Sequence, residues 1–472
     1  MAPVRPGHGA RDPPGASLAT AERGATGGRG ARGGGRVAAQ RIPAGGHLEV
    51  TLHAIENALE LSLWEARLPS GLTLRVDARP GRRTGFAAFG VDFGSIDRRL
   101  AGGGEAPAGT AHFLEHELFE DEQGDVSDRF AALGASANAM TGFVGTTFVA
   151  STSGDMLPAV KLLLEFVQRP AFEAGHIERE RDVIAQEIAM YEDDADWRVF
   201  EALLRCLYAR HPVRDNIAGT QQSIGLIDAE VLSRCHGAAY RPDNLCLAVS
   251  GPVDPGAVLE LALHDQQQRA PCDGFSSLRD DAGESAEVAS RSVSLVLPVE
   301  RPRLVLGIKE RVLGGGPLAV ARRQLSTRML LDVLFGRASA AFETLYGEGL
   351  VDESFSASHS AEACFGFSSI GGETDDPEAL DQRLREVLKR AARDGIDRAA
   401  HGRIRNKLYG TLMRALDQPE TVAYGLVSSR FREMPPFRAV ELVESISAED
   451  LMQRLHEHMH ESAMARAIVR PE

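Results

Sequence analysis

The sequence predicts an α+β fold made of two structurally related halves, each an antiparallel-rich sheet flanked by helices. Three observations carry this expectation. Strand-type and helix-type apolar periodicities are mixed instead of alternating one for one. A weak internal repetition recurs at an offset of about 214–220 residues. A polar stretch at 266–290, containing Gln-Gln-Gln, Asp-Asp and several serines, separates the two copies as a linker.

The chain has 472 residues, long for one hydrophobic core, and the usual domain size of about 100–200 residues predicts two or three domains, of which two is the starting expectation. Residues 1–45 hold seven arginines against Asp12 and Glu22, centred on GATGGRGARGGGR, a composition that cannot bury a core and is expected to be a disordered tail. The N-terminal half is assigned to 46–265 and the C-terminal half to 291–472. In the first, LWEARLPSGLTLRVDA (63–78) reads as two strands joined at Pro69-Ser70-Gly71, and a third strand is expected over 85–94. Thr110 is a candidate cap for a helix running to about Phe119, with Glu117, Glu120 and Asp121 as acids decorating its end. A short helix near 125–133, a strand-like run at 137–152, helices over 155–168 and 176–192, and a buried strand at 245–251 follow. The repetition pairs GHIERERDVIAQEI (175–188) with GIDRAAHGRIRNKL (395–408), on pattern order more than on identity.

The net charge of −15 is uneven, because the tail carries +5 and the remainder therefore −20. A body this acidic repels phosphate backbones, which excludes nucleic acid as the expected partner. No run approaches the length of a membrane helix, so membrane insertion is not expected either. The five cysteines (206, 235, 246, 272, 364) show no CxxC pair and no disulfide framework, and with no apolar leader segment the expected compartment is cytoplasmic.

The chemistry-bearing stretch is HFLEH at 112–116. On a helix, His112 and His116 share a face and can present two imidazoles to one point, while Glu115 sits beside them. Metal-assisted hydrolysis needs two neutral imidazoles, a third protein ligand, and a carboxylate next to the bound water. The other reading is an amphipathic helix with one satisfied core histidine and one exposed. Glu180 and Glu187 lie two turns apart on one helix face, and Glu187 sits in the apolar sequence VIAQEIAMY, where an acid is unusual unless paired or bound to a metal. An ordinary solvated helix acid is the alternative there.

GTAHFLEHELFE, GASANAMTGFVGTTF, ERERDVIAQEIAMYEDDADWR and HPVRDNIAGT together resemble the pitrilysin/insulinase family of zinc peptidases, the inverzincins, in its bacterial processing-peptidase-like branch. That resemblance implies that His112, His116 and Glu187 bind Zn2+, that Glu115 is the general base, and that Glu180 supports the site from behind. It implies too that Asn138 and Ala139 lie on a strand that pairs with peptide substrate. Family members carry an Arg and a Tyr seven residues apart in the C-terminal half; here Leu345 and Asp352 fall at those positions, so a related subunit lacking HxxEH but keeping the pair is the expected partner. Under the repeat, Glu187 falls on Lys407 and His112 falls in RRQLSTRML, so the second half should have no metal site. The expected activity is hydrolysis of peptide bonds in small or unfolded peptides; the alternative is a non-catalytic scaffold subunit. Three motifs are set aside: LHEHMHE, read as an exposed terminal helix with His456, His458 and His460; GASAN, in which Ser136 precedes a strand; and GGGEAPAG, which lacks the context of a phosphate loop. His211 and His236 have no identifiable partners in sequence.

Overall fold

The computed structural model describes residues 39–43, 49–55, 59, 61–100, 103–121, 124–267 and 269–472. In the first half the elements are β1 (Ala39–Pro43), β2 (Glu49–Ile55), β3 (Leu63–Arg67), β4 (Thr73–Ala78), β5 (Gly85–Val91), α1 (Thr110–Glu117), the short β6 (Glu120–Asp121) and β7 (Gly124–Asp125), α2 (Val126–Ala132), β8 (Ala135–Thr141), β9 (Thr146–Thr152), α3 (Met156–Gln168), α4 (Ala174–Asp193), α5 (Ala195–Leu207), α6 (Gln221–Ile224), α7 (Ala229–Ala239), β10 (Leu245–Gly251) and α8 (Pro255–Gln266). The second half follows with β11 (Ser292–Val296), β12 (Arg303–Lys309), α9 (Pro317–Phe335), α10 (Ala340–Gly347), β13 (Ser356–Ala361), β14 (Gly366–Glu373), α11 (Pro377–Asp394), α12 (Arg398–Ala415), α13 (Pro419–Phe431), α14 (Arg438–Ser445), α15 (Ala448–His458) and β15 (Met464–Arg470).

The two large sheets have the orders β1-β2-β3-β4-β10-β5-β9-β8 and β11-β15-β12-β14-β13. Laid side by side, β4-β10-β5-β9-β8 matches β11-β15-β12-β14-β13 strand for strand. Even the single parallel pair is shared: β10 runs parallel to β4, and β15 parallel to β11. The repetition that is faint in sequence is thus explicit in topology.

Each sheet is covered on both faces, so its central strands read as continuous apolar runs. Along β5, Ala87, Phe89 and Val91 join the core under α3, while Phe86 and Ala88 point the other way onto α13. The second sheet divides similarly: Leu304, Leu306 and Ile308 face its own core, whereas Ala465, Ala467 and Val469 pack against Val199, Leu203 and Leu204 of α5. The halves therefore exchange helices, α5 lying on the second sheet and α13 on the first.

Helix backbones can come this close because glycine sits beneath them. A Cβ on Gly90 of β5 would lie 2.2 Å from Val427 of α13, and one on Gly307 of β12 would lie 2.7 Å from Leu203 of α5. These two strands are equivalent in the repeat.

The tail expected through residue 45 is shorter than that, since Ala39–Pro43 form β1, paired antiparallel with β2. The rest of that expectation, residues 1–38, lies outside the described residues. The polar segment after α8 has no regular structure but is no loose tether. Arg279 donates to Asp92 at 2.6 Å, to Asp97 at 2.5 Å and to the Val144 carbonyl at 2.7 Å, and Glu284 pairs with Lys309 at 2.8 Å. A buried guanidinium with three acceptors is hard to detach, because each carboxylate would be left unpaired.

Gly90→Val and Gly307→Val should each destabilise the protein by about 1–3 kcal/mol, the usual penalty of overpacking a filled interface. Denaturant unfolding checks this, and an unchanged midpoint for both would contradict the close approach.

Candidate metal centre

Helix α1 begins at Gly109, not with the expected Thr110 cap: Gly109 takes φ 89°, and the Thr110 hydroxyl instead donates to the Pro107 carbonyl at 2.7 Å. A Cβ on Gly109 would meet the Ala218 carbonyl at 2.5 Å, so the segment before α1 lies directly on the backbone of NIAGT. Ala111, Phe113 and Leu114 anchor the helix in the core, which turns His112, Glu115 and His116 toward α4. On α4, Ile177, Ile184 and Ile188 are buried, and this fixes the helix roll that directs Glu180 and Glu187 back at α1.

The outcome is a convergence across 71 residues of chain between His116 and Glu187. Glu187 Oε2 lies 3.6 Å from His112 Nε2 and 3.5 Å from His116 Nε2. Around a tetrahedral zinc with bonds of about 2.0–2.1 Å, neighbouring donor atoms are about 3.4 Å apart, which both distances to Glu187 match, and one donor atom from each of the three residues lies within 4.8 Å of the others. They form the only such His/Cys/Asp/Glu group among the described residues. His116 Nδ1–H donates to Glu180 Oε1 at 2.6 Å, which leaves Nε2 as the nitrogen facing Glu187.

The electrostatics fit a site built around a cation. Burial and the neighbouring His116 lower His112 to about 4. Burial also disfavours charge on His116, but hydrogen bonds to Glu180 and Glu187 prevail and raise it to about 10. Burial would raise Glu187, yet His116, His112 and the Tyr191 hydroxyl together hold it at about 2. Glu115 is pushed up by burial, against the hydrogen bond it accepts from the Thr141 hydroxyl.

Asn138 and Ala139 lie on β8, the edge strand beside α1, opposite Val149 and Phe148 of β9. The Asn138 side chain accepts from the Ala139 amide at 2.8 Å. Two contributors escaped the sequence reading. Tyr191 donates to Glu187 Oε1 at 2.6 Å, and Thr141 holds Glu115. Tyr191 stands four residues after Glu187, a readable helical spacing, whereas Thr141 reaches Glu115 only through the sheet.

Glu117 is not a solvated helix-end acid. It is 1 % exposed with neither carboxylate oxygen hydrogen-bonded, and burial together with the charge of Glu180 raises it to about 7. Histidine 458 is likewise not on an exposed terminal helix; it is fully buried beside Ser368, whose Oγ is 2.8 Å from its Nε2. His211 and His236 have partners as well: His211 Nδ1 accepts from the Val213 amide at 3.1 Å, and His236 Nε2 lies 3.0 Å from the Val167 carbonyl.

In the second half the corresponding helices, α9 and α12, are joined by an ion pair in which Lys407 Nζ lies 2.9 Å from Asp332. Asp332 stands 220 residues after His112, the same offset that relates Lys407 to Glu187, so the residue opposite Lys407 falls just beyond RRQLSTRML. A Lys–Asp pair satisfies itself and has no use for an ion. Leu345 is buried on α10, and Asp352 is bound to Arg301 at 2.5 Å, so neither offers a cation or a phenol.

Comparison with known proteins identifies the family. Residues 92–221 match the family model for insulinase (peptidase family M16), and residues 227–408 match that for the peptidase M16 inactive domain. The chain is 34% identical over 406 residues to an uncharacterised zinc protease, YmfH, of Bacillus subtilis, covering 85% of this chain and 95% of the relative. An uncharacterised zinc protease of Mycobacterium tuberculosis is 28% identical over 373 residues, 74% of this chain and 79% of the relative. The crystal structure of an M16-like peptidase from Alicyclobacillus acidocaldarius superposes with a TM-score of 0.84 at 33% identity, over 89% of this chain and all of that one.

At pH 7 the metal-free site holds His112 neutral, Glu187 ionised and His116 charged. Because only neutral imidazole ligates, zinc uptake should release about one proton, and affinity should weaken about tenfold per unit as pH falls below about 10. Calorimetric titration in buffers of different ionisation enthalpy measures this; no proton release would contradict the assignment of charge.

Proposed function

The chain belongs to the insulinase family of peptidases, and from that premise we propose that it is a zinc-dependent metalloendopeptidase hydrolysing small or unfolded peptides. The observation that supports this best is the spacing of His112 Nε2, His116 Nε2 and Glu187 Oε2, set for one tetrahedral ion. Zinc held there supplies a polarised scissile carbonyl and a water acidic enough to deprotonate near neutral pH.

The chain's own groups do the rest. Glu115, its carboxylate raised by burial, accepts a proton from the water as the water oxygen adds to the carbonyl carbon. It then delivers that proton to the amide nitrogen as the C–N bond breaks, leaving a carboxylic acid and an amine, which exchange the water's second proton to become carboxylate and ammonium. Thr141 keeps Glu115 aimed while it changes charge, and Glu180 keeps His116 in the tautomer that presents Nε2. The β8 edge, with Asn138 and Ala139, provides backbone groups along which an extended peptide could align.

Leu345 and Asp352 provide no donor for the oxyanion, and a single such donor is worth about 2.7–4 kcal/mol. We therefore assign full activity to an assembly with a related subunit that contributes an Arg and a Tyr. The scaffold alternative draws on the same two residues, but a scaffold gains nothing from a half-buried cluster of two imidazoles and a carboxylate. No helix among the described residues is long and apolar enough to cross a membrane, and the five cysteines are unpaired, consistent with a cytoplasmic setting.

Glu115→Gln should retain about one zinc per chain while lowering kcat/KM on an unstructured peptide by at least about 10²-fold. Undiminished cleavage would contradict the role of Glu115, and a wild-type chain purified without any zinc would favour the scaffold. Purified alone, the wild-type chain should cleave slowly and gain activity when the related subunit is added; full activity alone would refute the shared site.

A further inference from the structure

Glu187 is the one member of the triad that comes from α4, and a carboxylate on a half-exposed helix face has several rotamers available. Two contacts restrict it. His116 and His112 face Oε2, while the Tyr191 hydroxyl donates to Oε1 at 2.6 Å. Tyr191 is itself braced: its ring stacks on Trp197 with centroids 5.0 Å apart and planes 28° from parallel.

Trp197 is fixed in turn. Asp194, the cap of α5, accepts from the Trp197 amide at 3.1 Å, and the indole Nε1–H donates to Glu201 at 3.1 Å. The rings continue from Trp197 to Phe200 at 6.2 Å and from Phe200 to Phe367 of β14 at 5.8 Å. A line of four aromatic rings thus runs from the Glu187 carboxylate along the start of α5 to the sheet of the second half. Helix α5 is the element that the first half lends to the second.

We propose that Tyr191, braced by Trp197, is a positioning residue that sets the Glu187 carboxylate for metal binding, so that the seat of one ligand depends on how the metal-free half is docked. The inference rests on the metal reading of His112, His116 and Glu187 and adds to it a role for residues that touch no metal. It gives the second half a part in the chemistry that does not require it to contribute a ligand. Removing the hydroxyl leaves the stack in place but frees Oε1; removing the indole leaves the hydroxyl in place but frees the ring that carries it.

The test is zinc affinity, measured by competition with a chromogenic chelator on the full-length wild-type, Tyr191→Phe, Trp197→Ala and Trp197→Phe chains. Supporting partners of metal ligands are typically worth 10–100-fold in affinity, and Tyr191→Phe and Trp197→Ala should each lose about 10-fold or more. Trp197→Phe, which keeps a ring to stack on, should recover most of the loss; a role confined to stability would instead show as a lowered melting temperature of the metal-free chain, which should stay at the wild-type value for Tyr191→Phe. Wild-type affinity in both Tyr191→Phe and Trp197→Ala overturns the positioning role while leaving the zinc site standing. A wild-type chain that binds no zinc overturns the metal reading and this inference with it.

Discussion

Everything at the site depends on the packing of α1 against α4, which gathers two imidazoles and the carboxylates of Glu115, Glu180 and Glu187, all half-buried, in one small volume. Charges removed from water must be paired. With three acids against two histidines the group is overall acidic, and a cation would complete it. The electrostatics follow from that shortage of positive charge: hydrogen bonds to Glu180 and Glu187 raise His116 above the ordinary imidazole range, and His116, His112 and Tyr191 hold Glu187 below the ordinary carboxylate range. The packing itself is fixed by apolar residues on the opposite faces, Phe113 and Leu114 on one helix and Ile177, Ile184 and Ile188 on the other.

The second half presents the same framework without the demand for a cation. Its two equivalent helices are tied by Lys407 and Asp332, which neutralise each other. One duplicated scaffold thus carries two solutions to the same problem of two polar helix faces in contact. The halves are held together by exchanged helices, with glycines in the strands beneath them: α5 packs into a core with the second sheet and α13 into one with the first. The aromatic line from Glu187 to Phe367 runs through that exchange.

Much of this was legible in the sequence, and the parts that were not have physical reasons. Helical spacing alone sets His112 and His116 on one face, and an acid in VIAQEIAMY advertises Glu187, because few settings tolerate a carboxylate among apolar neighbours. The order of elements revealed the two halves even where identity failed. Glu117 and His458 were misjudged because a polar residue near a helix end is usually exposed, and nothing local reports that the next element covers it. Residues 39–43 read as part of a Gly/Arg-rich tail because β1 acquires its structure from pairing with β2. The helix exchange was invisible, since an amphipathic face shows that it will be buried but not against which sheet. Thr141 was missed for a related reason: its bond to Glu115 is set by where β8 ends in the sheet.

Whether one zinc ion sits between α1 and α4 is decided by anomalous diffraction at the zinc edge from crystals of the full-length chain. One peak is expected, within about 2.0–2.2 Å of His112 Nε2, His116 Nε2 and Glu187 Oε2. No peak there in zinc-loaded crystals, or a peak only at the C-terminal histidines 456 and 460, would contradict it.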